Sequence, residues 1–134
     1  VKGMKYRVTN AEKKQACAYG AENKNLRTIT VASKVTINGV SCQVTAVANN
    51  AFANLKKAAK AVIGSNVTTI GKKAFYGDKR LKKITVKSKK LKSIGKGALK
   101  GISAKAVVKV PKAKRKAYNK LFKGKGQKKS VKIK

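Results

Sequence analysis

Glu12, Glu22 and Asp78 are the only side-chain carboxylates in this 134-residue sequence, Cys17 and Cys42 are its only thiols, and it has no histidine. General acid–base chemistry near neutral pH leans on histidine or on carboxylates tuned by their surroundings. Glycoside hydrolysis needs two facing acids, and a protease-type nucleophile needs a base beside it. Zinc takes three or four Cys, His or acid ligands, and calcium takes several oxygens, usually carboxylates. Three scattered acids and two thiols furnish none of these sets. A buried lysine can be activated as a nucleophile, but among so many lysines none stands out. The expectation is a protein that is not an enzyme and carries no cofactor and no metal.

The two cysteines lack the CxxC spacing of metal and redox motifs. They read either as two small, buried, unpaired side chains or as one disulfide.

The basic residues number 36, of which only Arg7, Arg27, Arg80 and Arg115 are arginine, and the formal net charge is +33. The charge is uneven: residues 1–55 carry +6 and residues 56–134 carry +27. Such a field attracts polyanions, whether nucleic acid, wall polymer or acidic glycan. Specific nucleic-acid readers favour arginine forks and stacking aromatics. Arginine is scarce here, and the seven aromatics occupy core-like positions, which argues against dedicated nucleic-acid recognition. Lysines alternate with apolar residues, as in Lys83-Ile84-Thr85-Val86-Lys87, the pattern of a half-buried strand with a solvated face. Two readings stay open: a lysine face that keeps the protein in solution, or a polyanion-facing surface of low specificity. For the second, the candidate residues are Lys82, Lys83, Lys87, Lys89, Lys90, Lys92, Lys109, Lys112, Lys114 and Arg115.

The elements that would position these residues recur along the chain. Val67-Thr68-Thr69-Ile70-Gly71-Lys72-Lys73-Ala74-Phe75-Tyr76-Gly77 has counterparts beginning at Val44 and Leu91, in steps of 23 and 24 residues. Ala61-Val62-Ile63, Ile84-Thr85-Val86 and Val108-Lys109-Val110 recur in the same register. Two blocks in phase over three copies predict a solenoid, in which each coil is too small to bury its own apolar edge and stacks on its neighbours. Each coil should hold an Ile-Thr-Val-like strand and a second extended stretch ending at Val47, Ile70 or Ile94. Gly71 and Gly95 should allow a bend, Ala-Phe or Ala-Leu should enter one helical or 3₁₀ turn, and Gly77 and Gly101 should close it. Parallel ladders are expected between 61–63, 84–86 and 108–110.

The ends differ. Strands are expected at 4–8, 16–19 and 26–31, followed by a hairpin over 35–44 about Asn38-Gly39. Pro111 should introduce a helix over 112–123 with Tyr118, Leu121 and Phe122 on one face, ended by Gly124, before a last strand at 131–133. The fold class is thus a β-rich solenoid of short stacked coils of about 23 residues within one continuous domain. Residues 1–43 form an N-terminal β leader and hairpin cap, 44–110 three repeats, and 111–134 a C-terminal helix-plus-strand cap.

At these residues the sequence resembles the BspA-like leucine-rich repeat family of bacterial surface proteins. Its repeat runs as Ser/Thr-Ile-Gly-x-x-Ala-Phe, x-Gly-Cys, x-x-Leu and an Ile-Thr-Ile strand, and 66–77 is a close match. Residues 26–134 fall under the resemblance, with 1–25 as a leader. Asp78 and Leu55 stand where the family often has Cys, and Leu99 replaces Phe in the last copy. The resemblance implies a secreted or cell-surface protein of a Gram-positive type or other anaerobic bacterium, serving adhesion or binding of another protein. It carries no catalytic residues and no fixed binding residues to transfer. There is no apolar run long enough to span a membrane. No signal peptide is visible and the chain begins at Val1, so it is expected to be a piece of a longer or processed protein. The expected function is a surface-exposed interaction or structural module, adhesive in character, with an unidentified protein or anionic polymer as partner; the alternative is a nonspecific polyanion binder. Neither the ligand nor the oligomeric state is specified by these residues.

Overall fold

The computed structural model describes residues 3–134. Eleven short strands and one α-helix follow one another, and the apolar residues of all the coils meet in one continuous core. The strands are β1 (Met4–Asn10), β2 (Gln15–Ala21), β3 (Thr28–Val31), β4 (Lys34–Ile37), β5 (Val40–Val47), β6 (Lys60–Ile63), β7 (Thr69–Ile70), β8 (Lys83–Val86), β9 (Ser93–Ile94), β10 (Val107–Lys109) and β11 (Lys132–Ile133). The helix α1 spans Arg115–Phe122 and is preceded by a 3₁₀ turn at Lys112–Lys114. The molecule is a β-solenoid of stacked coils with this single helix near its C-terminal end.

One sheet runs in the order β3-β6-β8-β10-β11, one strand from each of five coils, all parallel. The expected ladder is present in the expected register, with Ala61 facing Ile84 and Ile84 facing Val108. Val110 falls just beyond the end of its strand. Period-2 alternation sends Ile29, Val31, Ala61, Ile63, Ile84, Val86 and Val108 into the core and leaves Lys60, Lys83 and Lys109 outside. The second sheet runs β1-β2-β5-β7-β9, with β4 paired to β5 in an antiparallel hairpin about Asn38-Gly39. Both residues of that turn have positive φ, 51° and 78°, which is the type I′ geometry that Asn-Gly favours.

The third side of each coil carries the Ala-Phe motif, where the expected turn is present as isolated i→i+3 bonds (Tyr76 N–H to Lys73 O and Lys100 N–H to Gly97 O, both 3.1 Å) and does not extend into a helix. Left-handed residues at equivalent positions interrupt it: Asn50, Lys73 and Gly97 before the motif, and Asn54, Gly77 and Gly101 after it, all with positive φ. The backbone is thereby aimed at the next coil. Phe52 N–H donates to Ala74 O (2.8 Å), Phe75 N–H to Ala98 O (2.9 Å) and Leu99 N–H to Lys125 O (2.9 Å). The coils are stitched along a third line although no strand is formed there.

Gly71 and Gly95 also differ from expectation. Neither has a positive φ, so no bend requires them. A Cβ on Gly71 would lie 2.5 Å from Asn49 N, and one on Gly95 would lie 2.6 Å from both Gly71 C and Lys72 Cα. The glycines are there because backbone packs on backbone between coils. Gly95→Ala is expected to cost about 1–3 kcal/mol, since the obstruction is main chain that must move as a unit. A denaturant titration with an unchanged midpoint would contradict this.

Each end of the stack is held by a tyrosine. Tyr6 on β1 donates its hydroxyl to Thr30 O (3.3 Å) and accepts from Ala32 N–H (3.1 Å), fastening β1 to the outermost strand β3. Burial pushes the Tyr6 phenol above its usual pKa, partly offset by the Ala32 bond. On α1, Tyr118 and Phe122 are buried while Leu121 is half-buried. The Tyr118 hydroxyl donates to Ser88 O (2.7 Å) and accepts from Leu91 N–H (3.1 Å), and the buried Ser88 hydroxyl donates to Val67 O (2.6 Å). This chain of satisfied buried polar groups locks the helix to the third and fourth coils.

Candidate functional site

The residues able to do chemistry are dispersed. Glu12 lies in the β1–β2 turn and Glu22 just after β2, both exposed, whereas Asp78 is fully buried on the far side of the motif loop. Among the described residues no three of Cys, Asp and Glu gather in one place. Cys17 and Cys42 are both buried free thiols. The register keeps them apart, since Cys17 faces Ala46 and Cys42 faces Val35.

Asp78 occupies the coil position held by Leu55 in the preceding coil and Ile102 in the next. Its Oδ1 accepts the Leu55 N–H at 2.8 Å, and its Oδ2 has no partner. Burial raises its pKa to about 8, against the opposing pull of the Leu55 bond. This carboxyl is a coil-to-coil tie within the core.

The cations are organised by the repeat. Lys60 and Lys83 stand directly opposite one another on neighbouring strands, with Lys132 two strands further on in the same line. Strand neighbours lie about 4.8 Å apart, and like charges placed so are unfavourable in an isolated sheet. With three acids against 36 bases, protein carboxylates cannot neutralise them. Of the ten candidate residues, Lys82, Lys83, Lys109 and Arg115 converge. With Val107 and Lys134 they line an open pocket of about 550 Å³ on the outer face of the strand-per-coil sheet. Arg115 Nε donates to Lys134 O at 3.1 Å, which fixes the guanidinium beside the ladder.

The other six candidates stand elsewhere. Lys87, Lys89, Lys90 and Lys92 follow the opposite end of β8, where Lys90 Nζ donates to Asn66 Oδ1 (3.4 Å), and Lys112 and Lys114 sit in the 3₁₀ turn. Lys60, Lys132 and Lys134 were overlooked in the sequence. The signal for Lys60 was present, because it precedes Ala61 as Lys83 precedes Ile84. Lys134 and Arg115 meet only through the return of the chain after α1.

The outer face of the other sheet is different. Cys17, Ala46, Thr69 and Ser93 face one another in register across four strands. This row of small side chains floors an open groove of about 490 Å³, with Arg7 and Thr9 at one end and Asn49 and Lys72 along its side. No helix among the described residues is long and apolar enough to cross a membrane.

Comparison with curated proteins found no match. Two solved structures share the fold. A leucine-rich cell surface protein from Faecalibacterium prausnitzii has a TM-score of 0.64 at 23% identity, over 82% of this chain and 35% of its own. A leucine-rich repeat protein from Bacteroides ovatus has a TM-score of 0.62 at 22% identity, over 84% of this chain and 37% of its own. The present chain therefore spans little more than a third of either. Residues 33–134 match the model of the BspA-type leucine-rich repeat region in six copies. With that match laid over the stacked coils and the in-phase glycine and Ala-Phe positions, the chain belongs to the BspA-type leucine-rich repeat family.

Proposed function

We propose that the chain is a non-enzymatic, surface-exposed interaction module of a secreted or wall-associated bacterial protein, adhesive towards another protein, with residues 1–43 and 111–134 serving as end caps to the repeats. Family membership supports an interaction role, and the cell-surface protein of the same fold supports the location. The observation that carries the reading is the groove over Cys17, Ala46, Thr69 and Ser93. It is an accessible trough whose small floor residues leave room for an extended segment of a partner. Beads coated with the chain should adhere to a surface coated with extracellular-matrix protein. Thr69→Arg with Ser93→Arg, which fill the trough, should abolish adhesion while the melting temperature holds. Adhesion that survives the filled trough would remove this face from the reading, and labelling of the protein only inside permeabilised cells would remove the location.

A second reading is favoured by one observation, the convergence of Lys82, Lys83, Lys109, Arg115 and Lys134. Five cations with no acidic side chain in the pocket lining form a sink for a linear polyanion, held by counterion release rather than by base contacts. Affinity for duplex DNA or heparin should fall about 10²–10³-fold between 50 and 200 mM salt if these five are neutralised on binding. Plots for the two polyanions should run parallel. A strong preference for one of them at high salt would overturn the nonspecific reading, and absence of binding at low salt would leave the lysines as a solubility device.

A further inference from the structure

Only four of the basic residues are arginines, yet the fold gathers two of them into one depression. Arg27 immediately precedes β3, and Arg80 lies in the approach to β8, two coils away. Lys57 holds the position equivalent to Arg80 in the intervening coil. Arg27, Lys57, Ala59 and Arg80 line a pocket of about 440 Å³.

Its floor is tied down by main chain. Arg27 O accepts the Ala59 N–H at 2.8 Å, and Ala59 O accepts the Lys82 N–H at 3.0 Å. Arg27 thus rises from a fixed base, and Lys57 and Arg80 join it from the next two coils. All three are cationic, and the lining contains no acid to separate them. An anion placed between them would relieve their mutual repulsion.

Two guanidinium groups and one ammonium distinguish this place from the lysine ladder. A guanidinium is planar and permanently charged, and its donors match the two oxygens of a carboxylate or phosphate as a fork. The ammonium is a point charge that can close the third side. The volume is at the scale of a single small-molecule unit.

We propose that Arg27, Lys57 and Arg80 form a site for one oxyanion group, phosphate or carboxylate, carried on a larger acidic molecule. The site depends on fork geometry and not on bulk charge, so it stands apart from the polyanion reading of the lysine face. Binding of one oxyanion should fall with salt far less steeply than binding of a polyanion that meets several cations.

The test is an amide NMR titration of the full chain with glycerol 1-phosphate and, separately, with galacturonate, near physiological salt (about 0.15 M). A saturable shift at Arg27, Ala59 and Arg80 is expected, and whichever probe produces it names the oxyanion. Arg27→Lys with Arg80→Lys preserves every charge and should weaken binding about tenfold or more, the worth of the lost charge-assisted bonds. Lys83→Gln with Lys109→Gln lowers the charge elsewhere and should leave the saturation curve in place. Equal binding by the lysine pair overturns the site. So does an absence of saturation with both probes, or a shift spread evenly over the lysine surface. The last outcome would still be consistent with nonspecific polyanion binding, and the two ideas therefore fail separately.

Discussion

Phe75→Ala is expected to lower stability by about 3–5 kcal/mol, the usual consequence of emptying a buried aromatic site. Phe75 has no exposed surface, and its ring stacks on that of Phe52 in the preceding coil, with centroids 5.9 Å apart and planes 22° apart. Leu99 continues the line in the following coil and is equally buried. The side chain thus bridges two inter-coil contacts, and in a solenoid those contacts carry most of the stability. For a domain of this size the loss should appear as a fall of roughly 10–20 °C in Tm. Phe75→Leu, which reproduces what Leu99 does one coil on, should cost clearly less. A melt of Phe75→Ala that overlays the parent would show that the coils do not share a core.

Asp78 should make the protein less stable as pH rises. Its carboxyl titrates at about 8 in the folded chain, against about 3.9 when exposed. The native state therefore holds the proton more tightly than the unfolded state. Stability is greatest below about pH 4, declines through the interval between the two values, and levels off above about 8. Asn is the isosteric test: Asp78→Asn keeps an oxygen for the Leu55 N–H and cannot ionise. At pH 9 it should be the more stable protein by about 2–4 kcal/mol, less than the full linkage value because water penetration and local relaxation lessen the penalty of a buried carboxylate. At pH 4 the two should nearly coincide. The chain has no histidine, so no imidazole titrates in that interval. Urea midpoints at several pH values give the answer, and parallel profiles for the two proteins would show Asp78 to be solvated.

Much of the coil was legible because a repeat reports its own geometry. Ile84 and Val108 could be paired before any coordinates, since a 24-residue step in phase with the Ala-Phe motif leaves one register. The Asn38-Gly39 turn and the buried face of α1 follow from local chemistry of the same directness. The stitching at Phe52, Phe75 and Leu99 was not legible, because left-handed backbone at Asn50, Lys73 and Gly97 falls on three residues of three different types. Nor was the reason for Gly71 and Gly95, since a bend and a close approach select the same residue. The candidate sites were legible only in part. Lys83 and Lys109 share a face by the register of their strands, but Arg115 joins them only after the chain reverses beyond Pro111. Arg27 meets Arg80 because β3 belongs to the stack, and its strand carries too little of the motif to announce its coil number. The resemblance set Asp78 beside Leu55 at a position often held by Cys, and comparison with Ile102 at the same coil position would have placed it inside.

The hydrogen bonds that join one coil to the next lie along the stack on all three sides. A load drawn end to end meets them in line, one layer at a time, not across many layers together. The outermost coil can then peel while those beneath keep their contacts. Each coil occupies about 4.8 Å of the stack, whereas its 23 residues span roughly 75–80 Å when drawn straight. Drawn in this way, the stack should yield in discrete increments, each coil lengthening many-fold as it comes away.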